Sequence, residues 1–175
     1  MRSKRAQAGV TLIELMATVA ILAIVAVFAI PEWLTTVRNN RLAAQANDLV
    51  ADIALARSEA MRRGGRVTIC ASADGAACSG DAADWRQGRL VFFDANADGT
   101  IDTGDEIIRV AGSLKGNALS TASFAASDFI QFRPSGIPVG AGSFKLCDQR
   151  VGAHGRQISV AAAGMVSLQR EITCP

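Results

Sequence analysis

Residues 9–31 read GVTLIELMATVAILAIVAVFAIP, and this segment determines how the other parts of the 175-residue chain are organised. Apart from Thr11, Glu14 and Thr18, every residue from Val10 to Ile30 is apolar. The run of about 21 residues matches the roughly 20 that a helix needs to cross a bilayer. The segment therefore predicts a membrane-spanning helix over residues 10–31.

A basic leader precedes this span. Residues 1–9, MRSKRAQAG, contain three basic residues and no acidic one, which favours a cytoplasmic leader and a head that faces out. The formal net charge of +2 falls to −1 without Arg2, Lys4 and Arg5. The basic balance therefore belongs to a targeting leader and gives no argument for a nucleic-acid partner.

Two simpler interpretations of the span are a cleavable secretory signal peptide and a plain single-pass anchor. A signal peptide would have a shorter apolar core, followed by a small-residue cleavage site. Glu14 fits neither interpretation well, because a carboxylate near the start of an apolar span costs on the order of 2.5 kcal/mol or less and usually has a partner.

The sequence GVTLIEL at residues 9–15 resembles the prepilin-peptidase motif of type IV pilins and type II secretion pseudopilins. The resemblance implies that a prepilin peptidase cuts between Gly9 and Val10 on the cytoplasmic side, and that Val10 is then N-methylated. It also implies that Pro31 occupies the place of a helix-kinking proline. Val10 differs from the commoner Phe or Met at the new terminus.

The same resemblance gives Glu14 a role in assembly with other pilin or pseudopilin subunits. In a filament whose apolar helices bury one another, an unpaired Glu14 would be costly. The positive N-terminal amine of a neighbouring subunit is the natural partner, and the pairing would set the axial register. The alternative is that Glu14 lies at the level of the lipid headgroups.

Beyond the span, residues 32–64 have the pattern of an amphipathic helix, which Gly64-Gly65 should end. Charged residues such as Asp52 are expected mostly away from its apolar face. Apolar residues recur at spacings of three and four and so share that face: Leu42, Ala46, Leu49, Ile53, Ala56 and Ala60.

Residues 65–175 are predicted to form a β-rich periplasmic head. Seven short strands, separated by turns rich in Gly, Asp, Ser and Ala, are predicted at residues 67–71, 89–93, 107–110, 130–133, 144–148, 157–161 and 166–169. Residues 112–127 have no clear period and are predicted to be a mobile loop. A long helix followed by short strands indicates an α+β fold, with the amphipathic half of the helix packed on a C-terminal antiparallel β-sheet.

The four cysteines indicate an oxidising compartment. Of the three possible pairings, Cys70–Cys78 with Cys147–Cys174 is favoured, because each pair then lies within one local part of the chain. Zinc is the competing interpretation, but no C-x₂-C spacing is present and the chain has a single His.

Further stretches resemble the GspH/FimT group, which contains type II secretion minor pseudopilins and type IV minor pilins. Arg89 stands where a Trp is usual in this group, and Met165 where an Arg is common. The resemblance covers essentially the whole chain and implies the type IV pilin-like fold. The matching stretches are ARSEA at residues 56–60, WRQGRLVFFD at residues 85–94, GRQI at residues 155–158 and GMV at residues 164–166.

Some FimT-type members bind DNA through arginines in C-terminal loops, in the service of natural transformation. The last 31 residues of this chain contain a comparable basic set: Lys145, Arg150, His154, Arg156 and Arg170. Lysine and arginine bind phosphates by counterion release, so even a small cluster could hold DNA weakly. The alternative is a solvated sheet edge on which charges discourage aggregation.

A loop at residues 94–106 has spacing similar to that of a calcium-binding loop. Oxygen ligands fall at positions 1, 3, 5, 9 and 12 with glycine at position 6: Asp94, Asn96, Asp98, Asp102 and Asp105 with Gly99. Strands flank the loop, and position 12 has the shorter Asp side chain where Glu is usual. The alternative is a hairpin connection rich in turn-forming residues.

The sequence as a whole favours a minor pilin of a type IV pilus that helps to initiate or cap the filament, with a contribution to DNA uptake. One alternative is a GspH-like minor pseudopilin of a type II secretion system, and another is a DNA-binding module at the pilus tip. No nucleophile–base pair or phosphate-binding loop is found, so no catalytic residue and no cofactor other than Ca²⁺ is assigned. The expected location is the inner membrane, with a periplasmic head, and then a pilus or pseudopilus.

Overall fold

The computed structural model describes residue 9, residues 11–80, residues 85–122, residue 124 and residues 129–175. The chain divides into two units, residues 1–38 and residues 39–175. Leader residues 1–8 and the predicted new terminus Val10 lie outside the described residues. Gly9 is described and exposed.

The first element is a helix of 52 residues, α1 (Leu12–Arg63). Thr11 caps its start, because the Thr11 Oγ1 accepts a hydrogen bond from the Glu14 backbone N–H at 3.3 Å. The helix ends as predicted, since Gly64 takes a positive φ of 66° and donates its N–H to the Ala60 carbonyl at 3.1 Å. Pro31 lies within this helix, and the kink there stays a prediction.

The described residues after α1 form two four-stranded antiparallel sheets, where the sequence suggested one. In the first sheet the strand order is β3-β2-β1-β5, and in the second it is β4-β6-β7-β8. A short 3₁₀ turn at Trp85–Gln87 precedes β2. The strands are β1 (Arg66–Ala71), β2 (Arg89–Asp94), β3 (Glu106–Ala111), β4 (Ala118–Ala122), β5 (Phe129–Phe132), β6 (Gly142–Cys147), β7 (Gly152–Val160) and β8 (Val166–Cys174).

All seven predicted strands are present, and the largest differences occur in sheet two. There β7 begins five residues before its predicted start, and β8 continues five residues past its predicted end. The predicted loop at 112–127 was wrong in part, because β4 lies within it. Leu119 is the only large apolar residue of β4 and pairs with Leu146 of β6, so the strand depends on its neighbour more than on its own sequence. Residues 123 and 125–127 of the predicted loop lie outside the described residues.

The main core lies between the C-terminal half of α1 and the inner faces of both sheets. All six apolar residues predicted for the inner face of α1 are buried, with exposures of 0–1%. They pack against Ile69, Phe132, Phe144 and Ile158, among other residues of the two sheets. Trp85 lies against Phe144 with a ring-centroid distance of 5.0 Å. The predicted helix face was therefore correct.

Candidate functional site

The motif at the N-terminus also builds the first turn of α1. Thr11 and Glu14 stand three residues apart, the spacing of a capping box, and the carboxylate of Glu14 lies in the turn where the helix dipole favours negative charge. Glu14 is exposed, and among the described residues no cation forms an ion pair with it. Its local helix contacts therefore leave the carboxylate available for a charge from outside the chain.

The first half of α1 presents apolar side chains that have no partner within the described part of the chain. Leu12, Leu22 and Phe28 are 67–77% exposed, and the apolar stretch of the helix to which they belong is not buried within the described chain. By length and composition this helix qualifies to cross a membrane. The exposed apolar surface therefore needs lipid or other subunits to cover it.

The sequence interpretation of Asp52 as a residue away from the packed face was wrong. Asp52 is fully buried, and its Oδ2 accepts from both Nε and Nη2 of Arg89 at 2.5 Å. Arg109 Nε lies 2.8 Å from the other carboxylate oxygen. The ion pair joins α1 to β2. Arg89 stands at the position where the resembling group usually has Trp, and the carboxylate of Asp52 balances the positive charge that Arg89 brings into the core.

The C-terminal turn of α1 carries a second charge network, in which Glu59 and Arg63 are half-buried. Glu59 accepts hydrogen bonds from Arg62 at 2.5 Å and from Arg63 at 2.8 Å, and these lower the pKa of Glu59 to about 2. Arg63 also binds Glu106, at 2.6 Å, and this contact lowers the pKa of Glu106. The network therefore fixes the end of the helix to the start of β3.

The Asp-rich loop is closed by its own hydrogen bonds. Asp94 is buried, and its Oδ2 accepts from Thr68 Oγ1 at 2.8 Å, Gln131 Nε2 at 2.8 Å and the Gly99 N–H at 3.0 Å. Position 1 of the predicted calcium loop thus anchors the loop to the outer face of the first sheet.

The remaining predicted calcium ligands also bind groups of the loop itself. Asn96 Nδ2 donates to Asp98 Oδ2 at 3.0 Å and to Asp102 Oδ2 at 2.8 Å, and Asp105 accepts from the backbone N–H of Ala95 and Asp102. No group of three or more metal-ligating His, Cys, Asp or Glu side chains is found in the described ranges. Calcium binding therefore stays a prediction.

The structure separates the predicted DNA-contacting residues. Arg156 of β7 and Arg170 of β8 are register partners, which places them side by side on one face of the second sheet. Lys145 pairs with Gln157, the residue after Arg156, and therefore projects from the opposite face. His154 is half-buried near the start of β7. Of the predicted DNA-contacting residues, Arg156 and Arg170 are therefore cross-strand neighbours, although Arg156 is half-buried and its Nη1 donates to the backbone carbonyls of His154 and Gly155.

Arg150 is engaged in contacts within the head. Its Nη2 lies 2.6 Å from Asp148 Oδ2 and donates to Asn39 Oδ1 at 2.9 Å. Burial raises the pKa of Asp148, but the hydrogen bonds from Arg150 outweigh this effect and hold the pKa below its usual value. The positive charge of Arg150 is therefore balanced by the carboxylate of Asp148, whereas the described contacts of Arg156 are to backbone carbonyls and leave its charge unpaired.

The disulfides have the pairing favoured from the sequence, Cys70–Cys78 and Cys147–Cys174. The first holds the loop after β1 against the outer face of the first sheet. The second joins the end of β6 to the end of β8 across β7. A Cβ at Gly155 of β7 would collide with the Cys174 sulfur, so the glycine makes room for this bridge.

These features define a class of protein. The apolar, exposed first half of α1, with its T-x-x-E start, is joined to a disulfide-bonded head of two antiparallel sheets. This is the arrangement of a membrane-anchored, pilin-like subunit that is incorporated into a filament.

Comparison with known proteins gives the family. The model described as "Type II transport protein GspH" matches residues 45–164, and the "Prokaryotic N-terminal methylation motif" matches residues 4–30. The chain therefore belongs to the GspH family. No match was found among curated protein sequences.

The fold is shared with solved structures of a minor pilin and of a minor pseudopilin. The type IV minor pilin FimU of Pseudomonas aeruginosa is 25% identical, with a TM-score of 0.58 over 75% of this chain and 90% of FimU. The minor pseudopilin EpsH from the Type 2 Secretion System of Vibrio cholerae is 11% identical, with a TM-score of 0.53 over 74% of this chain and 97% of EpsH. The fold is thus that of minor pilins and minor pseudopilins.

Proposed function

We propose that this chain is a minor pilin of a type IV pilus that helps to initiate or cap the filament. The likeness to FimU carries the proposal, since the identity of 25% is more than twice the 11% shared with the pseudopilin EpsH. The exposed apolar half of α1 supports a role in assembly, because that surface requires other subunits once it leaves the bilayer.

The second candidate is a minor pseudopilin of a type II secretion system, which the description of the matching family favours. Deletion of the gene, scored in parallel for surface pili, DNA uptake and secreted proteins, separates the two. Loss of pili or uptake with intact secretion supports the pilus. Loss of secretion alone overturns the proposal in favour of the secretion system.

Entry into either filament requires processing by a prepilin peptidase at the inner membrane. Replacement of Gly9 by Val should leave the leader uncut, as seen by mass spectrometry of the membrane fraction. A variant with the mature mass would contradict cleavage between Gly9 and Val10.

The assembly role of Glu14 is tested by two substitutions. Glu14→Ala and Glu14→Gln should both be cut and yet initiate filaments poorly, because each removes the charge that pairs with a neighbouring terminal amine. Gln removes the charge but keeps the size and polarity of the side chain, so wild-type assembly by Glu14→Gln would show that the charge is not required.

DNA binding at the pilus tip is a finer proposal, supported by the adjacent Arg156 and Arg170. Full-length protein in detergent should bind labelled duplex DNA less tightly when both arginines are replaced by Ala. The slope of log affinity against log salt should fall by about 1.8, at about 0.9 per phosphate contact. Lys145→Ala, on the opposite face, is the matched control and should bind as wild type; an equal loss there would exclude the arginine pair as the site.

Calcium is tested by thermal unfolding with added calcium and with chelator. Binding at the loop should raise the melting temperature, and Asp98→Ala should remove the increase. Identical melting curves in calcium and chelator would contradict the calcium prediction.

A further inference from the structure

The apolar surface of α1 continues past the predicted span, but only on one side of the helix. Ile30, Trp33, Leu34 and Val37 follow the i, i+3, i+4, i+7 spacing of a single helical face. Their exposures are 57%, 71%, 49% and 39%. We refer to these four residues as the interfacial stripe.

The other side of the same two turns is polar, and its hydroxyl groups have partners in the helix itself. Thr35 Oγ1 donates to the Pro31 carbonyl at 3.1 Å, and Thr36 Oγ1 donates to the Glu32 carbonyl at 3.0 Å. These hydroxyls need no water, so the segment tolerates a partly dehydrated environment. Glu32 is exposed on this polar side, and its carboxylate requires contact with water or lipid headgroups.

The length of the helix places the interfacial stripe where a bilayer ends. From Leu12 to Ile30 the helix rises about 27 Å at 1.5 Å per residue, close to the roughly 30 Å of the hydrocarbon core. Trp33 follows about 4.5 Å later, within the interfacial layer where tryptophan is enriched. Arg38 lies about 12 Å beyond Ile30, just outside the headgroup layer, and its long side chain can reach back to the headgroup phosphates.

We propose that the interfacial stripe binds the phospholipid surface at the point where α1 leaves the bilayer, with the Trp33 indole at the level of the glycerol groups. A segment with one apolar and one polar side, an aromatic residue and a following arginine has the chemistry of a membrane-interface contact. The contact would hold the unassembled subunit at a fixed depth. It rests on the membrane anchoring of the chain and is the same for a pilus or a secretion system.

The two tryptophans of the chain allow a direct test. Trp33 is exposed, whereas Trp85 is buried in the core of the head at 1% exposure, so Trp33→Phe removes one signal and leaves the folded head as an internal control. Full-length wild-type protein and Trp33→Phe are reconstituted in phosphatidylcholine–phosphatidylglycerol vesicles. Some vesicles contain lipid brominated near the glycerol end of the acyl chain, and others contain lipid brominated near its methyl end.

The wild-type minus Trp33→Phe signal should lose most of its intensity with bromine near the glycerol and little with bromine near the methyl end. Trp85 should be unaffected by either lipid. Failure of shallow bromine to quench Trp33 would overturn the proposal, as would stronger quenching by deep bromine. Shallow quenching of Trp33 that is present at a very low protein-to-lipid ratio and disappears as the ratio is raised would also support the proposal. It would show that the single subunit contacts lipid at this stripe before neighbouring helices cover it. Absence of quenching at every ratio would assign the stripe to a neighbouring helix.

Discussion

The two halves of α1 have similar apolar residues and opposite surroundings. Leu22 in the first half is 67% exposed, while Leu49 in the second half is 1% exposed. The second half meets two sheets of its own chain, and the first half meets no described residue that covers it. Burial of a leucine contributes about 1.5–3 kcal/mol, so the second half stabilises the head, whereas the apolar surface of the first half is available for lipid and assembly.

The strongest test of this contrast is the buried charge in the second half. Asp52→Ala should destabilise the head by about 3–5 kcal/mol, because Arg89 is then buried without its partner. Chemical denaturation of the full-length protein in detergent, followed by near-ultraviolet circular dichroism, measures the change.

Two further variants show whether charge burial is the cause. Asp48→Ala, an exposed Asp one turn earlier, should change stability by less than about 0.5 kcal/mol. The double variant Asp52→Leu, Arg89→Met should recover most of the loss, since paired charges can be replaced by apolar groups of similar volume. A double variant as unstable as Asp52→Ala would contradict this explanation.

A matched pair of leucines tests the contrast directly. Leu49→Ala should cost about 2–5 kcal/mol through lost burial and a cavity, whereas Leu22→Ala should leave head unfolding unchanged. The same denaturation assay applies to both variants. Equal losses in the two would show that the halves of α1 do not differ in the way their exposures indicate.

Both disulfides lie in the head, so their removal tests whether the head is stabilised independently of the first half of α1. Bridges across sequence separations of 27 and 8 residues should contribute roughly 3.5 and 2.5 kcal/mol by loop-closure entropy. Paired Cys→Ser replacement at Cys147 and Cys174 should therefore lower the melting temperature more than replacement at Cys70 and Cys78. Unchanged melting in either variant, or the reverse order, would count against this explanation.

The smallest expected effect concerns Glu59 near the end of α1. Its folded pKa of about 2 lies below the ordinary value of 4.5, so its contribution to stability is present above pH 4.5 and is lost as the pH falls towards 2. The melting difference between wild type and Glu59→Gln should shrink across that interval. Glu32→Gln, in the first half of α1, is the control and should show no pH-dependent difference in head melting.

The helix and strands whose apolar residues recur every two to four positions were predicted correctly from the sequence. The six inner residues of α1, the Gly64 helix end and all seven predicted strands follow from the spacing of apolar residues and from turn chemistry. Strand β4 was missed because its single large apolar residue, Leu119, gives no alternating pattern. Its pairing with β6 supplies the hydrogen bonds that the local sequence does not indicate.

The candidate sites also fall into two groups, those formed by residues close in the sequence and those formed by contacts between distant segments. The sequence alone determined the apolar span and the processing motif, because each depends on residues close together in the chain, whereas the cysteine pairing that the sequence favoured needed the second sheet to bring Cys147 to Cys174. Only the tertiary structure decided that Asp52 is buried against Arg89 and that the Asp-rich loop binds its own backbone. It alone also decided that Arg156 lies beside Arg170, while Lys145 lies on the opposite face of the sheet. Those outcomes depend on register and on contacts between distant segments, and a one-residue shift in a strand reverses the face on which every side chain lies.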